Sequence, residues 1–118
     1  MERSNIVQEK SYLVAKHIVE LVRGFPRRMD GFVMGNQLLR LGTSIGANIE
    51  EAIAAFSKED FTYKMNTALK EARETNLWLR LVHDSELLVS SEELNSLIQE
   101  SLEIKNILAT IVKRARKK

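Results

Sequence analysis

Every residue that breaks helices lies in one short part of this chain. The five glycines and the single proline all fall between residues 24 and 46, so residues 47–118 contain neither. Glycine and proline are the residues least compatible with a helix interior. Apolar residues elsewhere recur at intervals of three and four, which is the period of an amphipathic helix. The sequence therefore predicts an all-α fold.

The apolar periodicity divides the chain into four helices. We expect them at about residues 6–23, 31–56, 58–84 and 91–115. The short connections between them favour antiparallel neighbours. With 118 residues, the length of one ordinary domain, the chain predicts a single antiparallel up-and-down four-helix bundle over residues 1–118.

Local signals mark the ends of these helices. Gly24 suits a left-handed cap after the first helix, and Asp30 is a suitable N-cap for the second. Ser57 and Ser90 each begin a capping-box pattern, which predicts the N-caps of the third and fourth helices.

Each predicted helix carries an apolar stripe that we expect to be buried. Small residues cluster in the middle of the second helix (Gly42, Ser44, Gly46 and Ala47), and we expect a neighbouring helix to approach closely there to compensate for the cost of the glycines. The stripes are Val14, Ile18, Leu21, Val22 and Phe25; Leu38, Leu41, Gly42, Ile45, Ile49, Ala52, Ile53 and Phe56; Phe61, Met65, Ala68, Ala72, Thr75, Leu79 and Val82; and Leu94, Leu97, Ile98, Leu102, Lys105, Leu108, Ile111 and Val112.

Positive charge is concentrated at the C-terminus. The net charge is +2, but five of the 18 basic residues occupy the last six positions, and the other 13 face 16 acidic residues, a net of −3. The tail has three interpretations: complementing the dipole of the last helix, contacting the phosphates of RNA or DNA, or contacting a membrane surface. The phosphate interpretation assigns the contacts to Lys113, Arg114, Arg116, Lys117 and Lys118.

Residues suited to catalysis or metal binding are scarce. The chain has no cysteine, which excludes thiolate chemistry and suits a reducing cytoplasm. Its two histidines, His17 and His83, are not preceded at three residues by glutamate, so the Glu-x-x-His pattern of di-iron bundles is absent. No glycine-rich phosphate loop and no apolar run of about 20 residues occur. We therefore expect that the protein is not an enzyme, that it has no cofactor or metal site, and that it has no membrane partner.

The second and third helices carry a polar stripe beside their apolar faces. One interpretation is a salt-bridge network within the chain. The other is a subunit interface, because the third helix has more apolar surface than one seam requires and a monomer rarely exposes large apolar patches. The interface hypothesis names Arg40, Asn48, Glu51, Glu71, Glu74, Trp78 and Leu81.

The same two helices carry a family resemblance. The matching segments are Gln37 to Arg40, Thr43 to Ala52, Ser57 to Phe61 and Ala68 to Leu79. In their order and spacing the chain resembles the four-helix-bundle family named for proteins encoded in intervening sequences of bacterial large-subunit rRNA genes. Many relatives carry glycine where this chain has Ala52, a change that should only stiffen the helix.

The resemblance implies a non-enzymatic protein that assembles into a ring, commonly a homopentamer. It also implies a nucleic-acid role, because a related accessory protein of diversity-generating retroelements is basic and works with a reverse transcriptase. Two functions follow as hypotheses: an oligomeric protein associated with RNA or DNA through its basic tail, or a scaffold that binds a protein partner without contacting nucleic acid.

Overall fold

The protein consists of four long helices. The computed structural model describes residues 2–89 and 91–117, with side chains from residue 6 onwards. The helices are α1 (Glu2–Val22), α2 (Met29–Ile53), α3 (Lys58–Asp84) and α4 (Glu92–Arg116), and the described residues contain no strand. The predicted all-α fold is confirmed.

The helices form a square bundle. α1 and α3 each pack against both α2 and α4, whereas the diagonal pairs make no such contact within the described residues. Short connections join adjacent helices, so the chain runs up and down along a body of 47 × 21 × 19 Å. The antiparallel up-and-down bundle is therefore confirmed. No helix in the described part of the chain is apolar enough over a sufficient length to cross a bilayer.

The core has two apolar clusters, one toward each end of the bundle. The Met65 cluster joins the start of α1 and α3 to the end of α2 and α4, and the Leu79 cluster joins the opposite ends. Between them lie the buried hydroxyls of Ser11, Thr75 and Ser101. Each donates a hydrogen bond of 2.8–2.9 Å to a backbone carbonyl of its own helix, which satisfies its polarity in the dry interior.

The stripe predicted for α4 is wrong at its centre. Leu102 is exposed and Lys105 half-buried, whereas Ser101 and Ile104 occupy the core. Burial of Ser101 is tolerated because its hydroxyl donates to the Ile98 carbonyl and accepts from Asn76 Nδ2 at 2.9 Å. The polarity of single residues therefore predicted the wrong set of buried positions in this part of α4.

The connection between α2 and α3 also differs from the prediction. α2 ends at Ile53 rather than Phe56, and both side chains are exposed although the sequence pattern assigned them to the core. The chain must turn here to enter α3, whose N-cap is Ser57. The Ser57 Oγ accepts from the Asp60 N–H at 3.0 Å, which confirms that predicted cap.

The ends of α1 and α2 depart from the local signals. α1 begins at Glu2, four residues before its expected start. No glycine within residues 2–89 and 91–117 has positive φ, so the left-handed cap predicted for Gly24 is wrong. The Gly24 N–H instead donates to the Leu21 carbonyl at 3.0 Å.

The N-cap of α2 is Arg28, so the predicted cap at Asp30 is wrong as well. Asp30 lies in the first turn, where its Oδ1 accepts from the Gly31 N–H at 2.8 Å.

The start of α4 differs by one residue from the predicted capping box. Ser90 lies outside the described residues. The N-cap is Ser91, whose Oγ accepts from the Leu94 N–H at 3.1 Å. Leu94 therefore takes the position that the prediction gave to Glu93.

The glycines of α2 allow α1 to approach closely, as the sequence predicts. A Cβ added to Gly42 would overlap the Ile18 side chain, and one added to Gly46 would lie 3.4 Å from Ser11 Oγ. The packing of α1 compensates for the low helix propensity of these residues.

Candidate nucleic-acid interface and subunit-contact face

Four of the five predicted phosphate contacts lie at the end of α4. Lys113, Arg114 and Arg116 belong to its last turn, Lys117 is its C-cap, and all four are exposed. Lys118 lies outside the described residues. Among the side chains that the structure describes, no carboxylate pairs with these four cations. They complement the helix dipole and remain accessible to an anion.

The basic side chains point in different directions. Successive residues of a helix are rotated by about 100°, so Lys113, Arg114 and Arg116 fan out around the end of α4. Arg116 lies toward α3, where it lines an open groove with Thr62 and Tyr63. The three side chains are thus spread over about 160° of the helix circumference.

Lys58 is a further cation at this end of the bundle, and the sequence interpretation missed it. Its Nζ donates a hydrogen bond of 3.0 Å to the backbone carbonyl of Lys117. Antiparallel packing places the start of α3 beside the end of α4, and this signal was available once the up-and-down order was predicted. Glu59 and Asp60 follow in the same first turn of α3 and oppose part of this charge.

Three members of the predicted interface, Asn48, Glu51 and Glu71, form polar contacts that join α2 to α3 within the chain. Asn48 Nδ2 donates to Glu71 Oε1 at 2.9 Å, and Lys64 Nζ lies 2.7 Å from Glu51 Oε1. Arg40 instead bonds Gln37 Oε1 on its own helix at 2.6 Å. These contacts fit the interpretation of the polar stripe as a network within the chain.

Burial raises the pKa of Glu71 at the centre of this face. Desolvation raises the pKa of its carboxyl, and the nearby charge of Glu74 acts in the same direction. The Asn48 hydrogen bond and the charge of Arg40 lower the pKa but do not reverse the shift. Arg40, Asn48, Glu71 and Glu74 thus interact electrostatically at one place on the α2–α3 face.

The remaining predicted interface residues lie on α3. Trp78 is half-buried and packs against the Leu79 cluster, whereas Glu74 is exposed. Leu81 is 42% exposed, and Leu77, one turn earlier, is exposed as well. The outward side of α3 is therefore partly apolar, as the interface hypothesis requires.

The histidines and acidic residues do not assemble into a recognisable catalytic or metal-binding group. His17 Nδ1 lies 2.9 Å from Glu100 Oε1 and links α1 to α4, and His83 Nδ1 lies 3.0 Å from Asp84 Oδ1 at the end of α3. Within the described residues, no three histidine, aspartate or glutamate side chains come together as ligands for one ion.

These features define a small antiparallel four-helix-bundle protein with one cationic end and a mixed polar and apolar face on α2 and α3. Residues 3–110 match the family described as 23S rRNA-intervening sequence protein, and the chain belongs to that family. The resemblance predicted from α2 and α3 is confirmed.

A solved structure supports the same assignment. The chain is similar to a protein of unknown function from the S23 ribosomal protein family of Bacteroides thetaiotaomicron, with 44% identity and a TM-score of 0.85. The similarity covers 94% of this chain and 98% of the other. No curated protein matches the chain. Neither the family description nor that of the structure names a reaction.

Proposed function

We propose that this protein is a non-enzymatic homo-oligomer that binds RNA or DNA through the cationic end of α4. The observation that carries the proposal is the exposure of Lys113, Arg114, Arg116 and Lys117 without carboxylate partners among the described side chains. Phosphate contacts made by such cations release condensed counterions, which drives binding without requiring base recognition. The absence of cysteine suits the reducing cytoplasm, where we place this activity.

Assembly would strengthen this binding. Each chain carries five basic residues in its last six positions, so the homopentamer implied by the family resemblance would present 25. Linked sites can exceed the affinity of one site by about a hundredfold to ten-thousandfold when the geometry permits simultaneous contact. The acidic body of each chain then restricts binding to the surface that carries the tails.

A charge-neutralised variant tests the nucleic-acid part. Replacing Lys113, Arg114, Arg116 and Lys117 by glutamine removes four charges while keeping residues that favour a helix. The slope of the logarithm of the affinity for single-stranded RNA against the logarithm of salt concentration should be more negative in the wild type than in this variant by about 3, for four neutralised phosphates. Fluorescence anisotropy at several salt concentrations measures the slope.

A matched control separates local from net charge. Glutamine at Lys16, Arg23, Arg27 and Arg73 removes the same charge from four exposed positions elsewhere on the bundle. We expect this control to keep most of the affinity and slope. Equal loss in both variants, or wild-type affinity in the tail variant, would contradict binding through the end of α4.

Sedimentation tests the assembly. Leu81 is 42% exposed on the predicted contact face, and Leu102 is 38% exposed on α4, outside the predicted interface set. We expect the wild type to sediment as an oligomer at micromolar concentration, Leu81→Glu to dissociate it and Leu102→Glu to leave it assembled. A wild type that sediments only at 13.5 kDa would refute the oligomer.

The second candidate is a scaffold that binds a protein partner. The exposed Leu77 and Leu81 on the outward side of α3 favour it, because paired apolar side chains one turn apart suit a partner's hydrophobic surface. Such binding would persist in the glutamine tail variant and at high salt. Salt-resistant partner binding together with no affinity for nucleic acid would favour the scaffold.

A further inference from the structure

An exposed aromatic ring lies next to the cationic end of α4. Tyr63, on α3, is 67% exposed and lines an open groove of about 560 Å³ together with Arg116 and Ala115 of α4. Lys58, Glu59, Thr62 and Asn66 also line it. In the sequence the tail contains no aromatic residue, so only the antiparallel packing of α3 against α4 brings the ring and the cations together.

The groove combines the two features by which proteins hold unpaired bases. An aromatic face stacks on a base of any sequence, and neighbouring cations contact the flanking phosphates. The volume is within the range of small-ligand sites and accommodates a group of nucleotide size. Lys64 Nζ lies 6.0 Å from the centre of the Tyr63 ring, but it is paired with Glu51 Oε1 at 2.7 Å, so Arg116 and Lys58 are the cations that the groove itself presents.

We infer that this groove binds a nucleotide of single-stranded nucleic acid, with the base stacked on Tyr63 and its phosphate contacted by Arg116. This inference rests on the proposed function and specifies its substrate as an unpaired strand. Duplex bases are already stacked on each other and are not available to the ring.

The charges in the groove orient the strand. Glu59 lines the same groove and repels phosphate, whereas Arg116 lies at the end of α4 and Lys58 is held against the Lys117 carbonyl at 3.0 Å. The backbone of the strand therefore follows the α4 side of the groove, and the base points toward α3. Thr62 donates its hydroxyl proton to the Lys58 carbonyl at 2.8 Å, which leaves its oxygen able to accept a hydrogen bond from a base.

The two tyrosines provide a matched test. Tyr12 on α1 is 71% exposed, similar to Tyr63, but does not line the groove. The probes are oligothymidylate of about twelve nucleotides, within the site sizes known for stacking proteins, and the same strand annealed to its complement. The full-length protein is titrated with each at low salt, and circular dichroism confirms that every variant is folded.

We expect the wild type to prefer the single strand. Tyr63→Ala should weaken single-strand binding by roughly tenfold, the loss typical of one stacked base, and leave duplex binding unchanged. Tyr63→Phe should bind like the wild type, because it keeps the ring, and so should Tyr12→Ala.

The possible results distinguish this inference from the proposed function. Salt-sensitive wild-type binding that Tyr63→Ala does not weaken, or that favours the duplex, refutes the stacking site and leaves the proposed function standing. A Tyr12→Ala loss equal to that of Tyr63→Ala also refutes it. No binding of either probe by the wild type refutes this inference, and the absence of RNA binding as well refutes the proposed function.

Discussion

Glu86 carries an unusual backbone conformation for its side chain. Its φ of 57° lies in the left-handed region, in the turn that follows α3. The Leu87 N–H donates to the Val82 carbonyl and the Glu86 N–H to the His83 carbonyl, both at 3.2 Å. This is a Schellman arrangement, in which glycine usually occupies the left-handed position. The buried Leu87 that follows explains why the turn forms without glycine.

Glycine at this position should stabilise the protein. Glu86→Gly relieves the clash between Cβ and the backbone, and we expect the free energy of unfolding to rise by about 0.5–1 kcal/mol after the entropy of glycine is included. Ser85→Gly is the control. Ser85 has a φ of −85°, which suits any residue, so the same change there should lower the free energy of unfolding. Urea unfolding measures both, and stabilisation by Ser85→Gly as well would contradict the backbone explanation.

Glu71 should make stability depend on pH. Its raised pKa means that the folded state binds a proton more tightly than the unfolded state. Its contribution therefore becomes less favourable as the pH rises from the ordinary glutamate value through the raised one, and both states are protonated alike below that window. Glu71→Gln removes the titration while its amide oxygen can still accept from Asn48.

We expect Glu71→Gln to gain stability relative to the wild type as the pH rises above the ordinary glutamate range. At lower pH the difference should be constant, so thermal unfolding of both proteins at several pH values isolates the effect. Glu9→Gln, on the exposed side of α1, controls for the lost charge. An advantage that grows toward acid pH would contradict the assignment.

The α1–α2 contact depends on the absence of a Cβ at Gly42. Ile18 is completely buried, so its side chain has little room to move away from an added methyl group. Gly46 faces only Ser11, at 3.4 Å from the position of an added Cβ. An added Cβ would therefore overlap a buried side chain at Gly42 but not at Gly46, although both glycines lie inside the same helix.

Alanine substitutions should have opposite effects at these two positions. Gly46→Ala should be neutral or stabilising, because alanine is favoured over glycine in a helix by about 1 kcal/mol. Gly42→Ala should be destabilising, since overpacking typically costs about 1–3 kcal/mol. Adding Ile18→Val removes the Cδ1 methyl that an added Cβ would meet first.

A double-mutant cycle by urea unfolding tests this explanation. Gly42→Ala should cost less in the Ile18→Val background than in the wild type. Additive effects would show that the Cδ1 methyl is not what excludes alanine.

Every helix contributes to both core clusters of the molecule. Val7 and Val14 of α1, for example, lie in different clusters although they are two turns apart. A helix that loses one cluster therefore also loses support in the other, and the predicted single domain should unfold as one cooperative unit. The buried hydroxyl layer between the clusters keeps its hydrogen bonds within each helix and imposes no boundary between them.

Met65→Ala tests this cooperativity at a distance. Met65 belongs to one cluster, whereas Trp78, the only tryptophan, packs against the other. We expect a loss of about 2–5 kcal/mol, with the same urea midpoint by tryptophan fluorescence and by circular dichroism. A fluorescence midpoint that stays at the wild-type value while the helical signal shifts would indicate two independently unfolding halves.

The sequence by itself determined the helical class, the number of helices and most of the buried positions. Spacings of three and four residues place side chains on one face of a helix whatever the helix packs against, so Leu38, Ile45 and Leu79 could be assigned to the core directly. The Ser57 cap was also predictable, because its hydrogen bond is formed within four residues.

Only the tertiary structure decided which polar residue could be buried, where α2 ends and which side chains surround the basic tail. Ser101 enters the core because Asn76 of another helix bonds it, and Tyr63 meets Arg116 because α3 and α4 run in opposite directions. These relationships join residues distant in sequence, and a local pattern contains no information about a partner that the fold brings from elsewhere.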